Sequence, residues 1–329
     1  MKNKVHAAIK SVIIHDSLFM ALCALFIGWS MGGTSCYSFR HERVADIPPK
    51  TCGFTLPPIP ESITEPSRRA DYLAAHYWDH FDFTDTACIR LPHITEQAFV
   101  DYADILPYVS AAEVTLSIQR LLRQAEKETS GRMYACFLEL CDKYLYDPNS
   151  PVRDEEYYLP VVRYVLADRR SGEAEKIRMN YTLEQILKNR RGETAADFGY
   201  VLPDGKTGRL HGIRAACTIL MFYNPGCHAC GQTIAALKAS PLITRLHADG
   251  TVAILLFYPD EDMAAWKQHL ADIPAGWLNG YDPQTRVEKE GIYDLRAIPT
   301  LYLLDRDKKV LLKDVNFDKI EMWLEKEFR

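Results

Sequence analysis

The sequence predicts two folded domains behind an N-terminal export or anchor segment: an all-α domain, then a C-terminal α/β domain. Three observations carry this. A basic start runs into an apolar stretch, helical periodicity dominates from about residue 62 to 188, and from Arg191 apolar strand runs alternate with helices. The 329 residues are 47% apolar and 25% charged, which suits one or two globular domains and excludes a largely disordered chain. Lys and Arg number 39 against 44 Asp and Glu, a net charge of −5, so no basic excess marks the chain for nucleic acid. A mean hydropathy of −0.19 excludes a polytopic membrane protein.

Lys2, Lys4 and Lys10 precede the apolar run from Leu18 to Trp29, and small residues then lead to Cys36. These are the parts of a secretory signal. A retained helical anchor is the rival, although spanning takes about 20 apolar residues and the run reaches that only with its upstream flank. A third alternative comes from Gly33-Thr34-Ser35, which resembles the lipobox of bacterial lipoproteins and makes Cys36 a lipidation candidate. Gly33 departs from that pattern, which places an aliphatic residue there. All three readings put the rest of the chain in the periplasm or cell envelope, with the membrane as a partner through an anchor or lipid. Residues 37–61, with Pro48, Pro49, Pro57, Pro58 and Pro60, read as an extended tether.

The helices of residues 62–188 follow in order. Phe99, Tyr102 and Leu106 recur at helical spacing after Thr95, an expected N-cap, and Pro107 ends that helix. Ser110 with Glu113 reads as a capping box ahead of the stripe Val114, Ile118, Leu121 and Leu122. Gly131 interrupts; Met133, Phe137, Leu140 and Tyr144 form the next stripe. Residues 147–151 turn the chain, and Tyr157 to Leu166 forms another helix with Pro160 near its first turn. The dense aromatics Tyr77, Trp78, Phe81 and Phe83 read as helix packing, with a peptide-binding groove as the alternative.

In the last third, residues 218–223 (TILMFY) and 251–258 (TVAILLFY) are buried-strand runs, and residues 297–304 (AIPTLYLL) a third, entered by a proline. The first run turns through Asn224-Pro225-Gly226, and Cys227-His228-Ala229-Cys230 opens a helix to about Ser240. A second helix spans 261–270, residues 309–312 pair beyond a turn at 305–307, and a helix over 317–328 closes the domain.

Strand, turn, C-x-x-C at a helix start, then Ile298-Pro299-Thr300 before a later strand resembles the thioredoxin fold. The segment TAADFGYVLPDGKTGRL at 194–210 and the long gap to Pro299 are similar to its TlpA/ResA-like, peroxiredoxin-related branch, which adds a strand and a helix. The resemblance covers about 140 residues. Residues 94–106, with the aromatics before them, resemble an uncharacterised helical domain that precedes thioredoxin-like domains in Bacteroidota proteins. The implied activity is thiol–disulfide exchange through the dithiol itself, with no other cofactor. Protein disulfides are the implied substrates, together with an electron donor that the sequence does not identify. A sulfur on a helix's first turn sees unpaired N–H groups that favour thiolate, the species that attacks disulfides. The resemblance casts Cys227 as the attacking cysteine and Cys230 as the resolving one. It casts Pro299 as cis and Ile298 as the residue whose backbone pairs with substrate.

Three departures stand out. Asn224, Pro225 and Gly226 fill the stretch where relatives often carry Trp. Met221 stands where plain thioredoxin has a buried Asp, so the usual proton acceptor for Cys230 is missing. His228, inside the motif, is either a tuning cation that favours thiolate or a solvated side chain. The absence of a Thr three residues ahead of Cys227, where Asn224 stands, disfavours peroxidase chemistry. Cys52, Cys88 and Cys217 show no pairing motif, Cys23 lies in the export segment, and Cys136 and Cys141 sit on different faces of one helix. No second C-x-x-C or H-x-x-x-H accompanies the first, so no metal site is expected. The rival function is a binding module, in which the helical domain captures a ligand and the α/β domain is a scaffold.

Overall fold

A computed structural model describes residues 52–329. The export segment, the lipidation candidate Cys36 and most of the expected tether lie outside the described residues. Among those described, no helix is long and apolar enough to cross a membrane. The chain divides into two compact units, the second beginning at Asp154.

In the first unit, α1 (Pro66–His76), α2 (Thr95–Ile105), α3 (Ala111–Ala125) and α4 (Arg132–Cys141) surround a core of rings. Tyr77, Trp78, Phe81 and Phe83 are all buried, and Trp78 meets Phe137 edge-on at 5.2 Å and Phe81 at 5.6 Å. Edge-to-face pairs add about 0.5–1.5 kcal/mol each beyond burial. These aromatics therefore pack as core and form no open groove. Residues 52–61 form no helix or strand, yet they are fastened down: Cys52 is disulfide-bonded to Cys88, and Phe54 stacks against Tyr77 at 5.0 Å. The pairing of Cys52 with Cys88 corrects the sequence reading, because partners 36 residues apart leave no local motif.

Local chemistry corrects three further expectations. Thr95 is not the N-cap of α2. Ile94 holds that place, and the Thr95 hydroxyl donates to the Cys88 carbonyl at 2.8 Å. The capping box at α3 is half formed, since Ser110 accepts from the Glu113 N–H while its own N–H donates to Asp71. Glu113 turns instead to Arg120 at 3.3 Å. After α4 a π-helical turn over Asp142–Tyr146 shifts the phase of the apolar stripe. Leu145 is buried in consequence, and the half-buried Tyr144 donates to Glu96 at 2.6 Å.

The second unit opens with a helical pair, α5 (Glu155–Ala167) and α6 (Glu173–Leu187), with Asp154 capping α5. Then come β1 (Gly199–Val201), β2 (Thr207–Arg209), β3 (Cys217–Phe222), α7 (His228–Ala239), α8 (Pro241–Ala248), β4 (Val252–Tyr258), α9 (Met263–Gln268), β5 (Leu278–Tyr281), α10 (Arg286–Lys289), β6 (Thr300–Asp305), β7 (Val310–Lys313) and α11 (Phe317–Glu327). The sheet order is β2-β1-β5-β4-β3-β6-β7, with β3 parallel to β4 and antiparallel to β6. The expected boundary near 188–191 thus differs from the start of this compact unit, which takes α5 and α6 with it.

Strand periodicity splits the core in two. Ile219, Met221, Ile254, Leu256, Leu301 and Leu303 face one layer, which α7, α8 and α11 cover with Leu237, Ile243, Ile320 and Leu324. Leu220, Phe222, Leu255, Phe257, Tyr302 and Leu304 face the other, with Phe198, Tyr200 and Tyr293. Burial on both faces explains why these strands read as unbroken apolar runs. Strand β5 (LNGY) carries no such run. Gly280 is there because Tyr200 lies on it: an added Cβ would sit 2.9 Å from the Tyr200 Cβ.

Lys313 on β7 ties the helical pair to the sheet. Its nearly buried ammonium donates to the Gln185, Ile186 and Lys188 carbonyls at 2.7–3.1 Å, which caps α6, and lies 2.7 Å from Glu155 on α5. Burial pushes the Glu155 carboxyl up, with Lys313 and Arg296 opposing. Outside β7 the incoming chain pairs with the strand and its lead-in: Gly192 donates to Val310, Val310 to Glu193, and Ala195 to Lys308.

Candidate functional site

The site forms where β3 ends and β6 begins. Phe222 pairs with Thr300, so the turn after β3 and the residues before β6 emerge at one end of the sheet. That turn needs a left-handed residue, and Gly226 supplies it at φ 73°. Cys227 follows as the N-cap of α7, and its sulfur accepts from the Cys230 N–H at 3.4 Å. The 227 and 230 cysteines are free thiols. The Ile298–Pro299 peptide bond is cis, and Ile298 packs against both core layers.

The two sulfurs have different surroundings. Cys227 is half-buried, whereas Cys230 is 1% exposed among apolar neighbours that include Met221. Burial, and secondly the adjacent Cys227 sulfur, push the Cys230 thiol up to about 12. His228 is exposed. Cys217 is buried at the start of β3, and burial pushes its thiol up to about 11, as it does that of Cys136 on α4.

A cavity of about 620 Å³ opens over the motif, lined by Asn224, Cys227 and Cys230 on one side and by His269 and Asp272 on the other. Beneath it, the Tyr223 hydroxyl donates to Asn279 Oδ1 at 2.8 Å, and the Trp266 indole N–H donates to the same oxygen at 3.1 Å. Burial pushes Tyr223 up to about 12, against its bond to Asn279. His269, Asp272, Tyr223 and Asn279 were not singled out from the sequence. Their one local signal is the His-x-x-Asp spacing after an amphipathic turn, which many exposed helices share. Among the described residues, the His, Cys, Asp or Glu group compact enough to hold a metal is Cys52, Asp85 and Cys88, whose two sulfurs are joined in the disulfide.

A sheet of this order, with a dithiol capping the helix after its central strand, defines a thioredoxin-like domain. The chain belongs to the thioredoxin-like family. A thioredoxin-like protein from Bacteroides caccae is 43% identical, with a TM-score of 0.76, over 83% of this chain and 98% of that one. The C-terminal domain of an uncharacterized protein from Bacteroides fragilis is 47% identical over 42% of this chain and 99% of that one, with a TM-score of 0.41. The thioredoxin domain of a thiol-disulfide oxidoreductase from Bacteroides vulgatus is 18% identical over 42% and 98%, with a TM-score of 0.38. Residues 35–189 match a domain of unknown function, DUF5106. No curated protein matches the chain.

Proposed function

We propose that the protein is an exported thiol–disulfide oxidoreductase that reduces or isomerises disulfides of envelope proteins. The observation that carries this is the asymmetry of the dithiol: Cys227 at the mouth of a cavity and the N-terminus of α7, Cys230 buried one turn behind. Cys227 attacks the substrate disulfide and Cys230 resolves the mixed disulfide, with the Ile298 backbone alongside. Export is supported by the basic and apolar N-terminal pattern and by the Cys52–Cys88 disulfide, since structural disulfides persist outside the reducing cytosol. Attachment runs through the apolar segment or a lipid on Cys36.

A trapping experiment tests the reading. Full-length protein carrying Cys230→Ser should accumulate mixed disulfides between Cys227 and envelope proteins, released by dithiothreitol. Adducts on Cys230 in a Cys227→Ser protein would reverse the assignment. A reduction potential below about −300 mV with slow exchange would leave a scaffold with a structural disulfide. Recovery of uncleaved protein in the cytosolic fraction would end the export proposal.

A further inference from the structure

Cys230 must shed a proton before it can attack the mixed disulfide, and the side chain below it, Met221, cannot take one. The cavity wall facing the motif holds a group that can. His269 follows α9, and its Nε2 lies 3.7 Å from where a Cβ on Gly226 would stand, directly beside the residue that precedes Cys227. Its other ring nitrogen, Nδ1, is 2.7 Å from Asp272 Oδ2. A carboxylate there holds the proton on Nδ1 and leaves Nε2 as the basic atom turned to the cavity. The other titratable or charged groups lining this cavity serve less well. Tyr223 is tied to Asn279, Lys238 lies exposed on α7, and His228 lines the cavity but is exposed and, among the described residues, has no carboxylate paired with its ring to orient it.

We infer that His269, oriented by Asp272, is the proton carrier of the dithiol site, in place of the missing buried acid. The inference rests on the oxidoreductase reading. Neutral His269 takes the Cys227 proton, and the Cys227 thiolate attacks a substrate disulfide. That S–S bond breaks, a Cys227–substrate disulfide forms, and the departing thiolate takes the proton from the imidazolium. The neutral ring then accepts the Cys230 proton. The Cys230 thiolate attacks the Cys227 sulfur, and a Cys227–Cys230 disulfide forms. The Cys227–substrate bond breaks, and the departing second substrate thiolate takes the proton from the imidazolium. Two electrons pass from the dithiol to the substrate disulfide, and two protons follow through one imidazole.

The test uses full-length protein, its dithiol reduced beforehand, reacting with dithionitrobenzoate between pH 5 and 10. The first dye equivalent reports attack and the second reports resolution. With the wild-type protein, the rate of the second should show an inflection with pH that reports a general base. His269→Gln should slow it at least tenfold at pH 7 and remove the inflection, in line with the 10²–10⁴ typical of general acid–base catalysis. Asp272→Asn should slow both dye releases, by less than His269→Gln does; His228→Gln should keep the full profile. An unchanged profile in His269→Gln, or its loss in His228→Gln, overturns the inference while leaving the oxidoreductase reading intact. A wild-type protein that releases no dye at any pH overturns both.

Discussion

The helical unit and the α/β unit each hold a cysteine pair, and the two are handled in opposite ways. Cys52 and Cys88 are 36 residues apart, joined as a disulfide that fastens the entering chain to the helices. Cys227 and Cys230 sit three apart on one helical turn, free, with one sulfur at a cavity mouth and the other buried. Long separation makes a closed bond valuable, because it removes more freedom from the unfolded chain. Short separation makes it cheap to open and close, which is what an exchange reaction needs. What distinguishes a staple from a pair proposed to react is therefore loop length and placement on a helix end, and cysteine content alone does not reveal it.

Five outcomes would break or sharpen this comparison. The largest effect should come from Cys227→Ser, which should abolish reduction of an aromatic disulfide dye; retained turnover would place the reactive sulfur elsewhere. Next, Glu155→Ala should destabilise the α/β unit by about 1–3 kcal/mol, because the nearly buried Lys313 ammonium loses its counter-charge while keeping its three carbonyl acceptors. The same contacts imply that a fragment starting at Asp154 should melt about 10 °C above one starting at Arg191, where the sequence alone places the boundary. Equal melting would support the independence of residues 191–329. Removing the staple with Cys52→Ala and Cys88→Ala should cost about 3–4 kcal/mol in urea unfolding of the helical unit, for a loop of this length. Exchange at Cys227 should be unaffected.

The smallest effect concerns alkaline pH. The Cys230 thiol is raised in the fold to about 12, from about 8.5 when free. The unfolded chain therefore releases that proton first. The stabilisation is complete below about pH 8.5 and is lost as pH climbs towards 12. Melting curves of the reduced protein should fall more steeply across that window than those of Cys230→Ala. Parallel slopes would mean that Cys230 is less sequestered than its surroundings indicate.

Much of the α/β unit was legible because doubly buried strands write themselves as apolar runs, as in β3, β4 and β6, and because a C-x-x-C needs a helix start. Strand β5 was not, since Asn279 is there to receive Tyr223 and Trp266, and Gly280 to clear Tyr200. Those demands come from residues 13 to 80 positions away. Thr95 misled for a related reason: its hydroxyl serves the Cys88 carbonyl, a partner that propensity does not see. The dithiol was visible as a motif, but the wall opposite it, His269 and Asp272, was visible only once the cavity existed.

The pairing of residues 192–195 against Lys308 and Val310 has a consequence for the protein in a crowded compartment. An open sheet ends in unpaired N–H and C=O groups, a ready template for a strand from another molecule and the start of aggregation. On the β7 side the chain's own linker occupies part of that template. On the other side β2 is only three residues long, follows Lys206 and ends in Arg209, too short and too charged to recruit a neighbour. A sheet of this size thereby offers foreign strands little purchase at its margins, which suits a protein proposed to handle extended, partly unfolded polypeptides at the dithiol end.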